Sequence, residues 1–401
     1  MAEQSPGSQA RRSILGLGAA ALLAMSLGAC QLVPKPRPEI PPEEEVRPDV
    51  EQPSEEEPGP QLPPEETRNR VAVLVPTSGA NAGVGQSIAN AANLALLDAG
   101  GERIRITVYD TARGGAAAAA NQALAEGNGL FLGPLLADDV RAVAPIARRA
   151  DVPVISFSND TSVAGNGVYL MGFTPGQSIA RVVGHARSVG LENFGALAPT
   201  GVYGRRASDA MVDAVQDAGG RLVSMQTYDG APASVRTAVA RLYGQGDYDA
   251  VLVADGGRGA AAAAPLLKSG GHARVRLLGT ELWAAESGLG RTPALRGAWY
   301  ASVGDTMFNQ LRTRYRARYG ANPYRLASLG YDAVLLTVRI AKGWRLGRAF
   351  PERELRDPVG FAGVDGPFRF TASGIAERSL EVREVTAGGT IVVSPAPRSF
   401  D

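Results

Sequence analysis

Cysteine is almost missing from this chain: Cys30 is the only one in 401 residues, which excludes an intramolecular disulfide. Two histidines, His185 and His272, are too few for a zinc cluster built on imidazole. Lysine is equally scarce. Lys35, Lys268 and Lys342 are the only three, so 38 of the 41 basic residues are arginine, a skew read here as codon bias rather than phosphate recognition. A net charge of +1 lacks the one-signed excess of a polyanion-binding protein. No Gly-x-x-x-x-Gly-Lys-Ser/Thr phosphate loop occurs, and neither a cofactor nor a metal is expected. A length of 401 residues points to two or three globular units.

What is present begins with an address. Arg11-Arg12 precede an apolar stretch from Ser13 to Ala29, short for a membrane span and shaped like a signal peptide. Its end, Leu27-Gly28-Ala29-Cys30, resembles the bacterial lipobox, in which the cysteine is acylated and becomes the first mature residue. Residues 1–29 are thus expected to be a lipoprotein signal peptide and Cys30 a membrane anchor. The sorting preference of such lipoproteins, with Gln31 after the cysteine, favours the outer membrane. The arginine pair suits either the general or the twin-arginine export route.

Residues 30–69 form a separate physical object. Between Gln31 and Thr67 stand eleven prolines and eleven acidic residues against three basic ones. Such a segment buries too little apolar surface to offset ordering and is expected to be an extended, disordered linker. Its charge also unmasks the rest: residues 68–401 hold 36 basic against 28 acidic residues, so a basic body hangs on an acidic arm.

From Val71 the chain alternates short apolar runs with helix-period stretches. Val71–Val75, Ile104–Val108, Gly129–Leu132 and Val152–Phe157 read as buried parallel strands, and Phe194–Ala198, Leu222–Gln226, Ala250–Ala254 and Val275–Leu278 as a second series. Gly85-Gln-Ser-Ile-Ala89 recurs as Gly176-Gln-Ser-Ile-Ala180, a small sign of duplication. After Leu295 come a strand at Trp299–Val303, helices at Thr306–Tyr319 and Leu326–Gly343, and a β-like tail from Val364. Enzyme signatures are poor. Asp255-Gly-Gly-Arg-Gly259 mimics a dinucleotide fingerprint with displaced glycines, and neither Gly-Gln-Ser-Ile-Ala copy has the closing glycine of a nucleophile elbow. His185 and His272 read as surface residues, the tryptophans and the Tyr315/Tyr319 pair as packing, and Arg312 to Arg318 as a solvated helix face.

Taken in order, Val71-Ala-Val-Leu-Val-Pro-Thr-Ser-Gly79, Leu132-Gly-Pro-Leu135, Val152-Pro-Val-Ile-Ser156, Tyr203-Gly204, Leu278-Gly-Thr-Glu281, Gly330-Tyr-Asp-Ala333 and Gly363-Val-Asp-Gly-Pro-Phe-Arg-Phe370 resemble type I periplasmic binding proteins, the leucine/isoleucine/valine-binding group. The resemblance implies an α/β fold of two doubly wound parallel-sheet lobes joined by a three-crossover hinge, with a ligand cleft between them. Expected boundaries are 70–174 plus 299–357 for one lobe, 175–298 plus 358–394 for the other, and a tail at 395–401. Loops after strands line such clefts, which nominates Thr77, Ser78, Gly79, Leu136, Ala137, Asp138, Ser158, Asn159, Asp160, Thr161, Tyr203, Asp255 and Glu281.

By that resemblance Glu281 matches the acid that holds an amino-acid ammonium, and Tyr203 an aromatic cleft wall. The carboxylate side does not match. Where the family has a serine run after Gly133-Pro134, this chain has Leu135-Leu-Ala-Asp138, and where it has an Ala-Thr pair, Asn159-Asp-Thr161. An aspartate there would repel an incoming carboxylate; the other reading of Asp138 and Asp160 is as helix or loop caps. A branch of the same fold consists of lipoproteins that activate penicillin-binding proteins from the outer membrane. Lipobox, linker and altered amino-acid site together resemble it. The expectation is therefore a non-enzymatic periplasmic lipoprotein whose partner is a penicillin-binding protein, a peptidoglycan synthase. The alternative is the substrate-binding lipoprotein of an ABC importer, with a permease as partner and an amino acid or related small molecule in the cleft. Nucleic acid is not an expected partner.

Overall fold

A computed structural model describes residues 67–286, 288–397 and 400. The signal peptide, Cys30 and almost all of the linker lie outside them. The folded unit opens with β1 (Asn69–Val75), α1 (Ala82–Asp98), β2 (Ile104–Asp110), α2 (Ala116–Ala125), β3 (Phe131–Leu132), α3 (Ala137–Arg149), β4 (Val154–Ser156) and β5 (Val168–Leu170). These strands make an all-parallel sheet in the order β2-β1-β3-β4-β5. Every residue from Val71 to Val75 is fully buried, because successive side chains enter opposite cores. Val71, Val73 and Val75 meet α1, whereas Ala72 and Leu74 meet α2 and α3.

The chain then crosses through residues 171–174 into α4 (Pro175–Ser188), β6 (Asn193–Pro199), α5 (Val202–Asp217), β7 (Arg221–Tyr228), α6 (Pro232–Tyr243), β8 (Ala250–Val253), α7 (Gly257–Leu267), β9 (Arg276–Gly279) and β10 (Trp299–Ser302). It returns as α8 (Thr306–Tyr319) and α9 (Ala327–Ala341), which close the α1 side of the first lobe's core. A three-stranded antiparallel sheet follows, from β11 (Phe361–Gly363), β12 (Gly366–Phe370) and β13 (Ala376–Arg378). The last crossing delivers β14 (Glu381–Thr386) and β15 (Gly389–Ser394) to the second sheet, ordered β15-β14-β10-β9-β8-β6-β7.

The fold class is the expected one, with two changes. First, β14 and β15 run antiparallel to their neighbours, so the second sheet is mixed. Second, the lobe boundaries move. Trp299–Ser302 was assigned to the first lobe, yet β10 lies between β9 and β14 of the second sheet, and the Trp299 indole N–H donates to Glu384 Oε2 at 2.9 Å. Residues 358–378 were assigned to the second lobe, yet Phe361, Val364, Phe368 and Phe370 belong to the first lobe's core. The second and third crossings therefore fall after Ser302 and after Arg378.

The repeated pentapeptide is not a matched pair either. Gly85 lies in the helix after β1, but Gly176 opens α4, which precedes β6. The true counterpart of Gly85 is Gly204 in α5. A Cβ at Gly85 would fall 1.9 Å from the Pro76 carbonyl oxygen, and one at Gly204 1.6 Å from that of Pro199. Each lobe thus presses the helix that follows its first strand against the proline at that strand's end, at a distance only glycine permits.

Among the described residues no helix is long and apolar enough to cross a membrane, and no group of three or more His, Cys, Asp or Glu side chains could hold a metal. The tryptophans are buried. Both histidines are half-buried rather than surface residues: His185 tilts on Trp299 with ring centroids 4.8 Å apart, and His272 stacks on Tyr243 at 3.6 Å. Arg312, Arg314, Arg316 and Arg318 are exposed on α8, with Arg314 paired to Asp98 at 2.9 Å.

Candidate ligand-binding cleft

Between the lobes lies a cavity of about 450 Å³, within the size range of small-molecule sites. The first lobe contributes Leu135, Leu136, Phe157, Asn159, Arg325 and Leu326; the second contributes Glu281, Leu282, Ala284 and Ala285. All three crossings reach it, through Phe173 and Thr174, Ser302 and Val303, and Arg378 and Leu380. Two helices open on it. Asn81 and Val84 stand at the start of α1, Thr174, Gln177 and Ser178 at the start of α4, and neither helix has a side-chain cap on its free N–H groups.

Of the residues nominated from sequence, Leu136, Asn159 and Glu281 line this cavity. Glu281 accepts from Ser178 Oγ at 2.7 Å and from the Tyr203 hydroxyl at 3.0 Å, and its own N–H donates to Ser178 Oγ at 3.2 Å. Burial pushes the carboxyl up from its ordinary range; the Ser178 and Tyr203 hydroxyls only partly oppose this. Tyr203 therefore sits one bond behind the wall, and its hydroxyl also approaches Thr280 Oγ1 at 2.9 Å. Burial, then the Glu281 carboxylate, pushes its pKa up.

The other nominated residues serve loops. The Thr77 N–H donates to Asp110 Oδ1 at 2.9 Å. Burial pushes Asp110 up, but Ser78 and the N–H groups of Ala112, Thr77 and Ser78 outweigh it and hold its pKa near about 2. Gly79 adopts φ +71° in the same turn. Ala137 begins α3, and exposed Asp138 pairs with Arg141 at 2.7 Å. Ser158 is buried and accepts the Asp160 N–H at 3.1 Å; exposed Thr161 starts the short turn that Asp160 caps. Asp255 accepts from the Tyr228 hydroxyl and the Gly256 N–H, each at 2.7 Å.

Asp160 has a role its sequence context did not suggest. It is buried in the first lobe, is paired with Arg141 at 2.7 Å, and meets Arg206 of α5 across the cleft. Burial pushes its carboxyl up, but the Ser162 hydroxyl, Arg206 and the Ser162 N–H outweigh this, leaving a pKa of about 2. The feared repulsive aspartate is a neutralised latch between lobes.

Sequence reading missed Arg325 and Arg378. Arg325 Nη1 stands 2.6 Å from Asp365 Oδ1, and Arg378 Nη2 donates to the Met171 carbonyl at 3.0 Å. Both guanidinium groups lie near the Phe173 ring, at 5.7 and 5.1 Å from its centroid. Asp332 completes the buried cluster, accepting the Val364 N–H at 2.7 Å; burial, then the Asp365 carboxylate, pushes its carboxyl up. The available signal was in the motifs Gly330-Tyr-Asp-Ala333 and Gly363-Val-Asp-Gly366: two aspartates in apolar surroundings call for cations.

Two α/β lobes joined by three crossings, with a cavity between them, define a bilobal class of protein. The family model for periplasmic binding protein matches residues 69–390, and the chain belongs to that family. Membership implies a periplasmic or other extracytoplasmic location. Among solved structures, a putative branched-chain amino acid ABC transporter protein from Rhodospirillum rubrum superposes with a TM-score of 0.69 at 21% identity, over 81% of this chain and 100% of that one. The leucine-binding protein LivK from Thermotoga maritima gives 0.61 at 20%, over 82% and 98%. An ABC transporter solute-binding protein from Rhodopseudomonas palustris, solved with 3,4-dihydroxy benzoic acid, gives 0.62 at 19%, over 84% and 98%. An uncharacterized protein of Rickettsia prowazekii is 24% identical over 184 residues. That match spans 46% of this chain and about half, 49%, of the relative.

Proposed function

We propose that this protein is the non-enzymatic solute-binding component of an ABC importer, which takes a small molecule into the interlobe cavity and presents it to a permease. The carrying observation is the cavity itself, walled by both lobes and by all three crossings. Its similarity to solute-binding proteins, including ones solved with aromatic acids, supports the same reading. Acylation of Cys30 holds the protein at a membrane, the outer one by its Gln31, and the acidic linker gives the lobes reach. The test is thermal unfolding of the mature protein against a library of amino acids and organic acids. A ligand at 100 times its dissociation constant stabilises by about 2.7 kcal/mol, and a library without a single shift would refute the reading.

The lipobox and the acidic proline-rich linker favour a second reading, activation of a penicillin-binding protein. Its argument from a disused cleft is weakened, because Asp160 is neutralised and the cavity is open. Retention of a bifunctional synthase on the immobilised protein would revive it.

A further inference from the structure

We propose that the base of the first lobe, opposite the cleft, docks on a bilayer surface carrying anionic headgroups. Three segments meet there: Asn69 opens β1, Arg103 precedes β2, and residues 342–350 follow α9. Asn69 Nδ2 donates to the Trp344 carbonyl at 3.1 Å, and Arg103 Nη1 to that of Lys342 at 2.7 Å. Trp344 is buried, and its indole N–H donates to the Arg348 carbonyl at 2.8 Å. The loop is therefore held in shape by its tryptophan. A groove of about 350 Å³ runs between this loop and the start of β1, with Arg68, Arg70 and Arg348 in its wall.

The loop carries charge of one sign. No acidic residue stands between Asp332 and Glu352, against Arg339, Lys342, Arg345 and Arg348. Arg339 is paired with Asp357 at 2.8 Å, but Lys342, Arg345 and Arg348 are exposed, as is Arg103 beside them. Exposed Glu102, next to Arg103 in the chain, offsets one of these four. Glu126, at the groove's edge, is engaged by the Tyr109 hydroxyl and the Gln122 amide. Among the cations Leu346 is 48% exposed. An apolar side chain ringed by arginines suits the headgroup boundary of a bilayer, which takes up both; a soluble acidic chain answers only the charge. The placement agrees. Arg68 precedes β1, so the tether from Cys30 joins the fold at this same end. The cavity is lined by Leu135, Leu136 and Phe157, at the opposite ends of the strands, and a lobe docked by its base keeps that opening turned away from the membrane.

The experiment uses the full mature chain with Cys30→Ser, so that no acyl group contributes. It is sedimented with vesicles of phosphatidylglycerol and phosphatidylcholine, and with phosphatidylcholine alone. Binding is expected to the anionic vesicles only, and to fade as added salt shortens the screening length. Replacing Arg345 and Arg348 together by Gln is expected to weaken it about fivefold for each cation removed. Replacing Arg236 and Arg241, exposed on α6 of the second lobe, removes the same charge and is expected to leave binding unchanged. Leu346→Ser is expected to weaken vesicle binding at constant charge. No retention by anionic vesicles overturns the proposal, and so does equal weakening by the two arginine pairs, which would mean net charge rather than a face. Soluble polyglutamate binding as tightly as the vesicles would overturn it too, assigning the patch to an acidic polymer.

Discussion

The two ends of the cavity handle buried charge in opposite ways. At the second lobe's end, Glu281 is saturated by Ser178 and Tyr203, and the shell behind it is closed by Thr280. At the crossing end, Arg325 and Arg378 are set against Asp332 and Asp365, with Arg325 Nη1 2.6 Å from Asp365 and Arg378 Nη2 on the Met171 carbonyl. A saturated carboxylate holds its place with nothing bound. A cluster of opposed charges holds only while every member is present.

Breaking the crossing end has the largest expected effect. Arg378→Met strands Asp365 and Asp332 in the core without their counter-charge, and is expected to cost about 3–5 kcal/mol of stability by urea unfolding. Retention of wild-type stability would mean that the aspartates are neutral and the arginine is dispensable to the fold. Next comes the matched glycine pair. Gly204→Ala drives a methyl into the Pro199 carbonyl, and a loss of about 1–3 kcal/mol is expected, with Gly85→Ala giving a comparable loss in the first lobe. Wild-type stability of Gly204→Ala would show that α5 can move off the Pro199 carbonyl without cost.

The latch is smaller. Asp160→Asn removes its pairs with Arg141 and Arg206, with an expected loss of about 1 kcal/mol and a larger radius of gyration by X-ray scattering as the lobes part. Because the Asp160 pKa is lowered from 3.8 to about 2, its contribution is present above pH 3.8 and fades as pH falls through about 2. The wild-type advantage over Asp160→Asn should vanish there.

Smallest at neutral pH is Glu281→Gln, which keeps an acceptor for one of the two hydroxyls; about 1 kcal/mol or less is expected. The sign reverses relative to Asp160. A carboxyl raised from 4.5 is most stabilising below that value and loses its contribution as pH rises through the raised pKa. Glu281→Gln should gain on wild type as pH rises above 4.5, and a flat difference would mean that Glu281 titrates normally.

The sequence revealed more of the fold than of the site. Val71–Val75 and Ala250–Val253 are buried on both faces, so they read as unbroken apolar runs. Three-residue strands such as Val168–Leu170 and Ala376–Arg378 are too short to show a period. Lobe membership was misread at Trp299 and after Asp357, because a strand's local pattern does not say which sheet it joins. Glu281, Leu136 and Asn159 were reached through loops after strands. Arg325 and Arg378 were hidden among 38 arginines, and only the third dimension places Asp332, Asp365 and the crossings around them.

Because all three crossings form part of the cavity wall, the floor under a guest is also the axle on which the lobes turn. Occupancy and lobe angle then cannot vary independently: whatever fills the space sets the resting angle, and whatever fixes the angle alters affinity by the same free energy.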